Sequence, residues 1–261
     1  MDAPPRVTPA GVGSRNALDT LARVPATLHW SRFGAVLFDL DGVITPTAAI
    51  HERAWGELFA DRGYTRADYL DHIDGKPRYD GVRAFLASRG IDLPWGAPED
   101  APGDDTVCAL GNRKNALFNE ILEREPLQAY PGTVEVLDLL DRLGTPQAIV
   151  SSSKNARAVL AAAGMGERFA VIVDGVAAAA ENLPGKPAPD TFLRAAALLG
   201  ADPAKSVVVE DASSGVAAGA AGGFAVVVGV DRGGNAEALA AAGASIVVSD
   251  LADTLGEGAT A

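Results

Sequence analysis

The sequence predicts an α/β protein: a doubly wound parallel sheet interrupted, after its first strand, by an all-helical insertion. Three observations carry that expectation. Short runs rich in β-branched residues recur along the chain with helical periodicity between them, the pattern of a parallel sheet covered on both faces. One long stretch, residues 47–129, has helical periodicity and no convincing strand. Several predicted strand ends carry acidic or hydroxyl residues followed by small residues, as at the ligand crevice of such sheets.

Taken in order, residues 1–30 are rich in Pro, Gly and small side chains and are expected to form an N-terminal arm. Gly34–Leu40 (GAVLFDL) reads as a buried strand. Ala54, Trp55, Leu58 and Phe59 mark one face of a helix inside the insertion, and Arg113–Arg124 a second, charged helix. Between them Asp92–Asp105 (DLPWGAPEDAPGDD) is a loop by composition. Tyr130-Pro131-Gly132 marks the return to the sheet. Strands are expected at Gln147–Val150, Val171–Val173, Ser206–Val209 and Ala225–Val228, with a weaker one at Ile246–Val248. Helices are expected at Thr133–Leu143, Asn155–Ala163, Asp190–Leu199 and Ser214–Ala221. The partition is therefore 1–30 arm, 31–46 with 130–261 core, and 47–129 helical cap.

With 261 residues, 48% of them apolar and 21% charged, the chain can bury a sizeable core. A formal net charge of −12 repels polyphosphate backbones, which argues against nucleic acid as a partner but leaves room for a small phosphorylated ligand held by focused cations. The single cysteine, Cys108, excludes an internal disulfide and a paired-cysteine zinc site, and suits a reducing, cytoplasmic setting. No secretory or membrane segment is expected: MDAPPRVTPAGVGSRN lacks a basic start with an apolar run, and FAVVVGV is too short to span a bilayer.

The strongest local signal is Asp39-Leu40-Asp41-Gly42-Val43. Two carboxylates at i and i+2 on extended backbone project to one side, which suits a nucleophilic Asp39 attacking phosphorus and an acid/base Asp41 that share a divalent cation. A strand end with an ordinary Asp-Gly turn is the plainer reading. Glu210 and Asp211, before Ser213-Ser214-Gly215, offer further oxygen ligands for a hard cation, or simply a helix cap. Ser151-Ser152-Ser153-Lys154-Asn155 precedes a helix and reads as an anion site or, again, as capping. Lys186 lies in the Pro-flanked turn Gly185-Lys186-Pro187-Ala188-Pro189-Asp190, its backbone preset by the prolines. Together these supply nucleophile, anion donors, fixed cation and metal carboxylates, the parts that phosphoryl transfer requires.

Over residues 33–250 the ordered set DLDGV, SSSKN, GKPAPD and EDASSGV resembles the haloacid dehalogenase superfamily, and within it the β-phosphoglucomutase-like enzymes and related sugar-phosphate phosphatases with a helical cap. That resemblance implies a Rossmann-like core and a bound Mg²⁺ assisting transfer of phosphate to Asp39. It also implies Asp41 as acid/base with its carbonyl on the metal, and Glu210 and Asp211 as the metal-binding pair. Ser151 and Lys186 match positions that hold the transferring phosphoryl group; Ser153, Lys154 and Asn155 match neighbouring ligand contacts. In the cap, Thr47, His51 and Trp55 fall at i, i+4 and i+8 on one helical face, with His51 resembling a histidine that holds Asp41 in position. Arg78, in Gly75-Lys76-Pro77-Arg78, matches an arginine gripping the non-transferring phosphate, and Lys114 a second cap cation near the sugar. A solvated charge on a helix face is the competing reading for both.

The chain departs from the family at Pro46, Lys76, Pro77 and Gly81, and adds the arm and the 92–105 loop. The expected activity is interconversion of β-D-glucose 1-phosphate and D-glucose 6-phosphate by a monomer, with a sugar-phosphate phosphatase as the alternative. A phosphosugar-binding module without catalysis is a third reading, disfavoured by the intact Asp39, Asp41, Lys186 and Asp211.

Overall fold

The computed structural model describes residues 27–256. Six strands form one sheet: β1 (Ala35–Phe38), β2 (Gln147–Val150), β3 (Val171–Val173), β4 (Ser206–Glu210), β5 (Val226–Val230) and β6 (Ile246–Val248). Every neighbouring pair is parallel, and the order is β3-β2-β1-β4-β5-β6. The strand order reverses between β1 and β4, so the crevice for a ligand opens beyond their carboxyl ends. Phe38 is in register with Val209, which places Asp39 beside the Glu210-Asp211 pair.

The strands form because their residues are apolar on both faces. Val36 and Phe38 bury against one layer and Ala35 and Leu37 against the other, each fully covered. The first layer includes α5 (Pro131–Leu143) and α6 (Ala156–Ala162), through Val136, Leu137, Leu140, Val159 and Leu160. The second is built by α8 (Asp190–Leu198), α9 (Ser213–Ala221) and α10 (Ala236–Ala241), through Phe192, Val216 and Leu239. The short α7 (Gly175–Ala180) follows β3 and is capped by Asp174, whose carboxylate accepts from Val176 N and Ala177 N.

Between β1 and α5 lie α1 (Thr47–Leu58), α2 (Arg66–Asp68) running into a π turn (Tyr69–Ile73), α3 (Arg78–Ser88) and α4 (Val107–Arg124). They enclose an apolar cluster of their own, with Phe59 stacked on Phe85 at 4.2 Å and Leu58, Val82 and Leu110 around the pair. The segments that lead into and out of these helices are tied together: Tyr130 N donates to Ile44 O, and Thr133 Oγ1 to Val43 O.

Boundaries differ from expectation at identifiable places. Helix α4 starts at Val107 because Thr106 caps it, accepting from Ala109 N at 3.0 Å. The Pro-flanked turn that carries Lys186 does not follow a strand directly; α7 intervenes between it and β3. Of the expected arm, residues 1–26 lie outside the described residues. Trp30, within its last residues, is buried in the first layer of the core. Among the described residues no helix is long and apolar enough to cross a membrane.

Candidate active site

The ends of β1 and β4 bring four carboxylates, Asp39, Asp41, Glu210 and Asp211, around one ammonium, which two of them bind. Lys186 Nζ donates to Asp39 Oδ1 and to Glu210 Oε1, both at 2.5 Å, and to Val150 O at 3.1 Å. Burial alone would lower its pKa; the two carboxylates outweigh that and raise it, keeping the lysine charged. The second oxygen of Asp39 accepts from Asp41 N at 2.8 Å. Asp39 and Asp211 are themselves pushed well above the ordinary carboxylate range, first by burial. The carboxylates crowded beside them add to it: Glu210 and Asp41 at both, with Asp74 also at Asp211.

Asp41 is held from the other side. It accepts from Thr47 Oγ1 at 2.5 Å and from Ser151 Oγ at 3.3 Å, and His51 Nε2 lies 3.3 Å away. Burial opposes ionisation, but His51 and Thr47 win and bring its pKa to about 2. Gly42 makes the exit possible: its φ is +95°, and a Cβ there would stand 1.7 Å from Asp211 Oδ2. Arg232, in the loop after β5, donates to Gly42 O at 2.9 Å while its guanidinium covers the Tyr130 ring at 3.7 Å. Asn235, from the same loop, donates to Asp211 O at 3.0 Å.

The capping alternatives do not hold. The N-cap of α9 is Ala212 and that of α6 is Asn155, neither with a side-chain cap bond; Glu210 Oε2 and Ser153 Oγ instead accept from the backbone N–H of those two residues. Ser151 Oγ accepts from Ser153 N, and Asn155 Nδ2 donates to Asn115 Oδ1 across to α4.

The helical insertion supplies the opposite wall. Thr47, His51 and Trp55 share one face of α1 as expected. Lys114 is not a solvated charge; it is 4% exposed, hydrogen-bonded to His51 Nδ1 and set against the rings of Trp55 and Phe118 at 5.1 and 5.0 Å. Burial, then Arg78, lowers its pKa to about 7, against a smaller pull from Asp41. Burial and Lys114 likewise lower that of His51. Arg78 is half-buried at the start of α3.

The turn Asp74–Pro77 rests on the core. Ser214 Oγ donates to Asp74 O at 3.1 Å and Ser152 Oγ to Gly75 O at 2.8 Å. Gly75 has φ +69°, and Pro77 presses so close to Gly185 that a Cβ there would meet its Cγ at 2.6 Å. Of the departures from the family pattern, Lys76 turns its ammonium onto His72 O and Gly81 packs beside Trp55.

A cavity of about 530 Å³ lies between the walls. Every residue singled out from sequence lines it except Thr47 and Lys186, which sit behind Asp41 and Asp39. Sequence reasoning missed Asp74, Asn115 and Tyr79, which also line it. Burial raises the pKa of Asp74 to about 7 despite its Tyr69 hydrogen bond. Its only sequence signal is a second Asp-Gly pair, and that is not specific.

Asp39, Glu210 and Asp211 can place one oxygen each within 4.8 Å of one another. An all-oxygen set with more negative charge than Lys186 neutralises fits a hard divalent cation. With its excess of buried acid balanced, this wall can hold an anionic centre in front of Asp39, while Arg78 and Lys114 can hold a second anion.

Known proteins match this picture. The family model for haloacid dehalogenase-like hydrolases matches residues 33–223. A protein of Mycobacterium tuberculosis named beta-phosphoglucomutase is 47% identical over 238 residues, 85% of this chain and 91% of that protein. Hexitol phosphatase A of Escherichia coli is 34% identical over 194 residues, 73% of this chain and 80% of that protein. The crystal structure of beta-phosphoglucomutase from Clostridium difficile superposes with a TM-score of 0.71 at 27% identity, covering 86% of this chain and 94% of that one.

Proposed function

The chain belongs to the haloacid dehalogenase-like hydrolase family, and from that premise we propose that it is a phosphosugar mutase interconverting β-D-glucose 1-phosphate and D-glucose 6-phosphate. The observation that carries this reading is one cavity with two ends suited to phosphate: Asp39, backed by Lys186, with Ser151 at the core, and Arg78 with Lys114 at the cap. A hydrolase of monoesters needs only the first; a bisphosphate that turns end for end needs both.

The phosphorylated enzyme carries its phosphoryl group on Asp39. The sugar C6 hydroxyl attacks phosphorus, its proton passes to Asp41, and the P–O bond to Asp39 breaks, giving the bisphosphate. After reorientation Asp39 attacks the C1 phosphate, and the departing C1 oxygen takes the proton back from Asp41. Ser151 and Lys186 hold the transferring group; Ser153, Lys154, Asn155 and Arg78 hold the other phosphate. Thr47 and His51 keep Asp41 aimed at the acceptor, and Trp55 and Lys114 line the sugar's space. Mg²⁺ fits Asp39, Glu210, Asp211 and the Asp41 carbonyl, where it would neutralise charge on the transferring phosphoryl group. Residues 47–129 act as the cap that keeps water from the aspartyl phosphate, over a core of 31–46 and 130–261. A cytoplasmic monomer belongs to the same proposal.

The likeness to hexitol phosphatase A favours one second reading, a sugar-phosphate phosphatase using Asp39 and water. A coupled assay separates them. β-Glucose 1-phosphate, Mg²⁺ and a trace of glucose 1,6-bisphosphate are supplied, and glucose 6-phosphate and free phosphate are followed together. Glucose 6-phosphate forming far faster than phosphate supports the mutase; phosphate alone replaces it with the phosphatase.

A further inference from the structure

The 92–105 loop is an addition with no assigned part, yet the fold pins it along its length. Val107 N and Cys108 N donate to Pro94 O and Trp95 O, each at 3.0 Å. Asn112, one turn into α4, donates through Nδ2 to Pro98 O and Asp100 O at 2.9 Å and accepts the Tyr79 hydroxyl at 2.9 Å. Asp100 closes the loop on itself, accepting from Ala97 N at 3.0 Å and from Thr106 Oγ1 at 2.6 Å. Composition alone gave no hint of this order.

What the pinning delivers is Trp95 and Pro98 on the wall of the same cavity. Trp95 is 41% exposed and so can present its indole to the cavity. It meets Tyr79 edge-on at 6.2 Å, and the Arg83 guanidinium stands 4.7 Å from its centroid. Tyr79 in turn has Lys154 at 5.6 Å and Arg78 at 5.8 Å. The cavity wall therefore runs from the carboxylates, through Trp55 and Lys114, to the cations Arg78 and Lys154, and then on to an aromatic and proline rim. One sugar ring and its phosphates engage the wall as far as the cations. The rim beyond them is apolar and rigid, with the carboxylate of Asp80 beside it.

We propose that the 92–105 loop builds a distal subsite for a second sugar ring, extending the substrate class to phosphorylated disaccharides. The inference rests on the sugar-phosphate reading above. A pyranose offers an apolar C–H face to the indole and hydroxyl edges to the charged groups around it, the mix of a broad aromatic surface with few polar anchors typical of small-ligand sites.

The test is a binding titration on Asp39→Asn, in which turnover is blocked, with β-glucose 1-phosphate and β-maltose 1-phosphate as probes. The expected result is tighter binding of the disaccharide by about fivefold or more, the order of one aromatic contact. Adding Trp95→Ala should bring the ratio of the two affinities to about one, and Trp95→Phe should restore part of it. Should Trp95→Ala fail to fold, the Trp95 indole N–H resonance of the Trp95-containing protein gives the answer: it should shift with maltose 1-phosphate and not with glucose 1-phosphate. A ratio untouched by Trp95→Ala, an indole resonance that ignores the disaccharide, or binding of glucose 1-phosphate alone overturns the subsite and leaves the sugar-phosphate reading standing. Binding of neither probe overturns both.

Discussion

Two buried lysines belong to opposite walls of the cavity, Lys114 on its lining and Lys186 behind Asp39, and they live in opposite electrostatic worlds. Lys186, 3% exposed, is clasped by Asp39 and Glu210, and its pKa is raised although burial works against it. Lys114, 4% exposed, has two aromatic rings, a histidine and nearby Arg78 for company, and its pKa falls to about 7. The core wall holds its cation and still has acid to spare. The cap wall holds cations without their anion. Neither is balanced alone, so the closed cavity favours a divalent metal at one side and a phosphate at the other.

That contrast can be broken at its strongest point first. Asp39→Asn should lower turnover of β-glucose 1-phosphate by at least about a thousandfold and abolish transfer of labelled phosphate from glucose 1,6-bisphosphate to the protein. Retained labelling would end the assignment of Asp39 as nucleophile. Next, Lys186→Met leaves two buried carboxylates without their counterion. Metal-free protein should lose about 3–5 kcal/mol in urea unfolding. A loss under about 1 kcal/mol would mean that the core wall does not depend on its own cation.

The cap side yields smaller effects. Arg78→Lys gives up the planar fork, and KM for the sugar phosphate should rise by about tenfold or more with a lesser fall in kcat. An unchanged KM would remove Arg78 from phosphate binding. Smallest is a pH effect on stability. The folded pKa of Lys114 is about 7 against 10.5 for the free side chain, so between those values the unfolded chain binds the extra proton. Stability of the ligand-free protein should therefore rise as pH goes from about 7 towards about 10, and Lys114→Met should flatten that rise. An equal slope in the variant would place the titrating group elsewhere.

Much of this was readable from the residues because the central strands β1 and β4 are buried on both faces, and runs such as Ser206–Glu210 leave a sheet few other places to go. The acid pairs after β1 and β4 were legible for the same reason: parallel register turns sequence position directly into position in the crevice. Asp74 was not legible. It becomes a cavity residue only because serines from a core loop and from the first turn of α9 hold its turn, a contact across 140 positions at Ser214. Lys114 stayed open between a cap cation and a solvated charge, since a charged helix gives no sign of which turn another helix will cover. Trp95 went unread because its loop is ordered by Asn112 and Thr106, residues that lie outside the 92–105 segment read as loop.

The turn at Asp74 and Gly75 has one further consequence. Its ties to Ser214 and Ser152 are neutral hydroxyl–carbonyl bonds, each contributing about 1 kcal/mol. Contacts of that kind are indifferent to ionic strength, whereas attraction of a phosphorylated ligand by Arg78 and Lys154 is screened by it. Added salt should therefore slow the arrival of substrate while leaving the hold of the Asp74–Gly75 turn on the core nearly as it was.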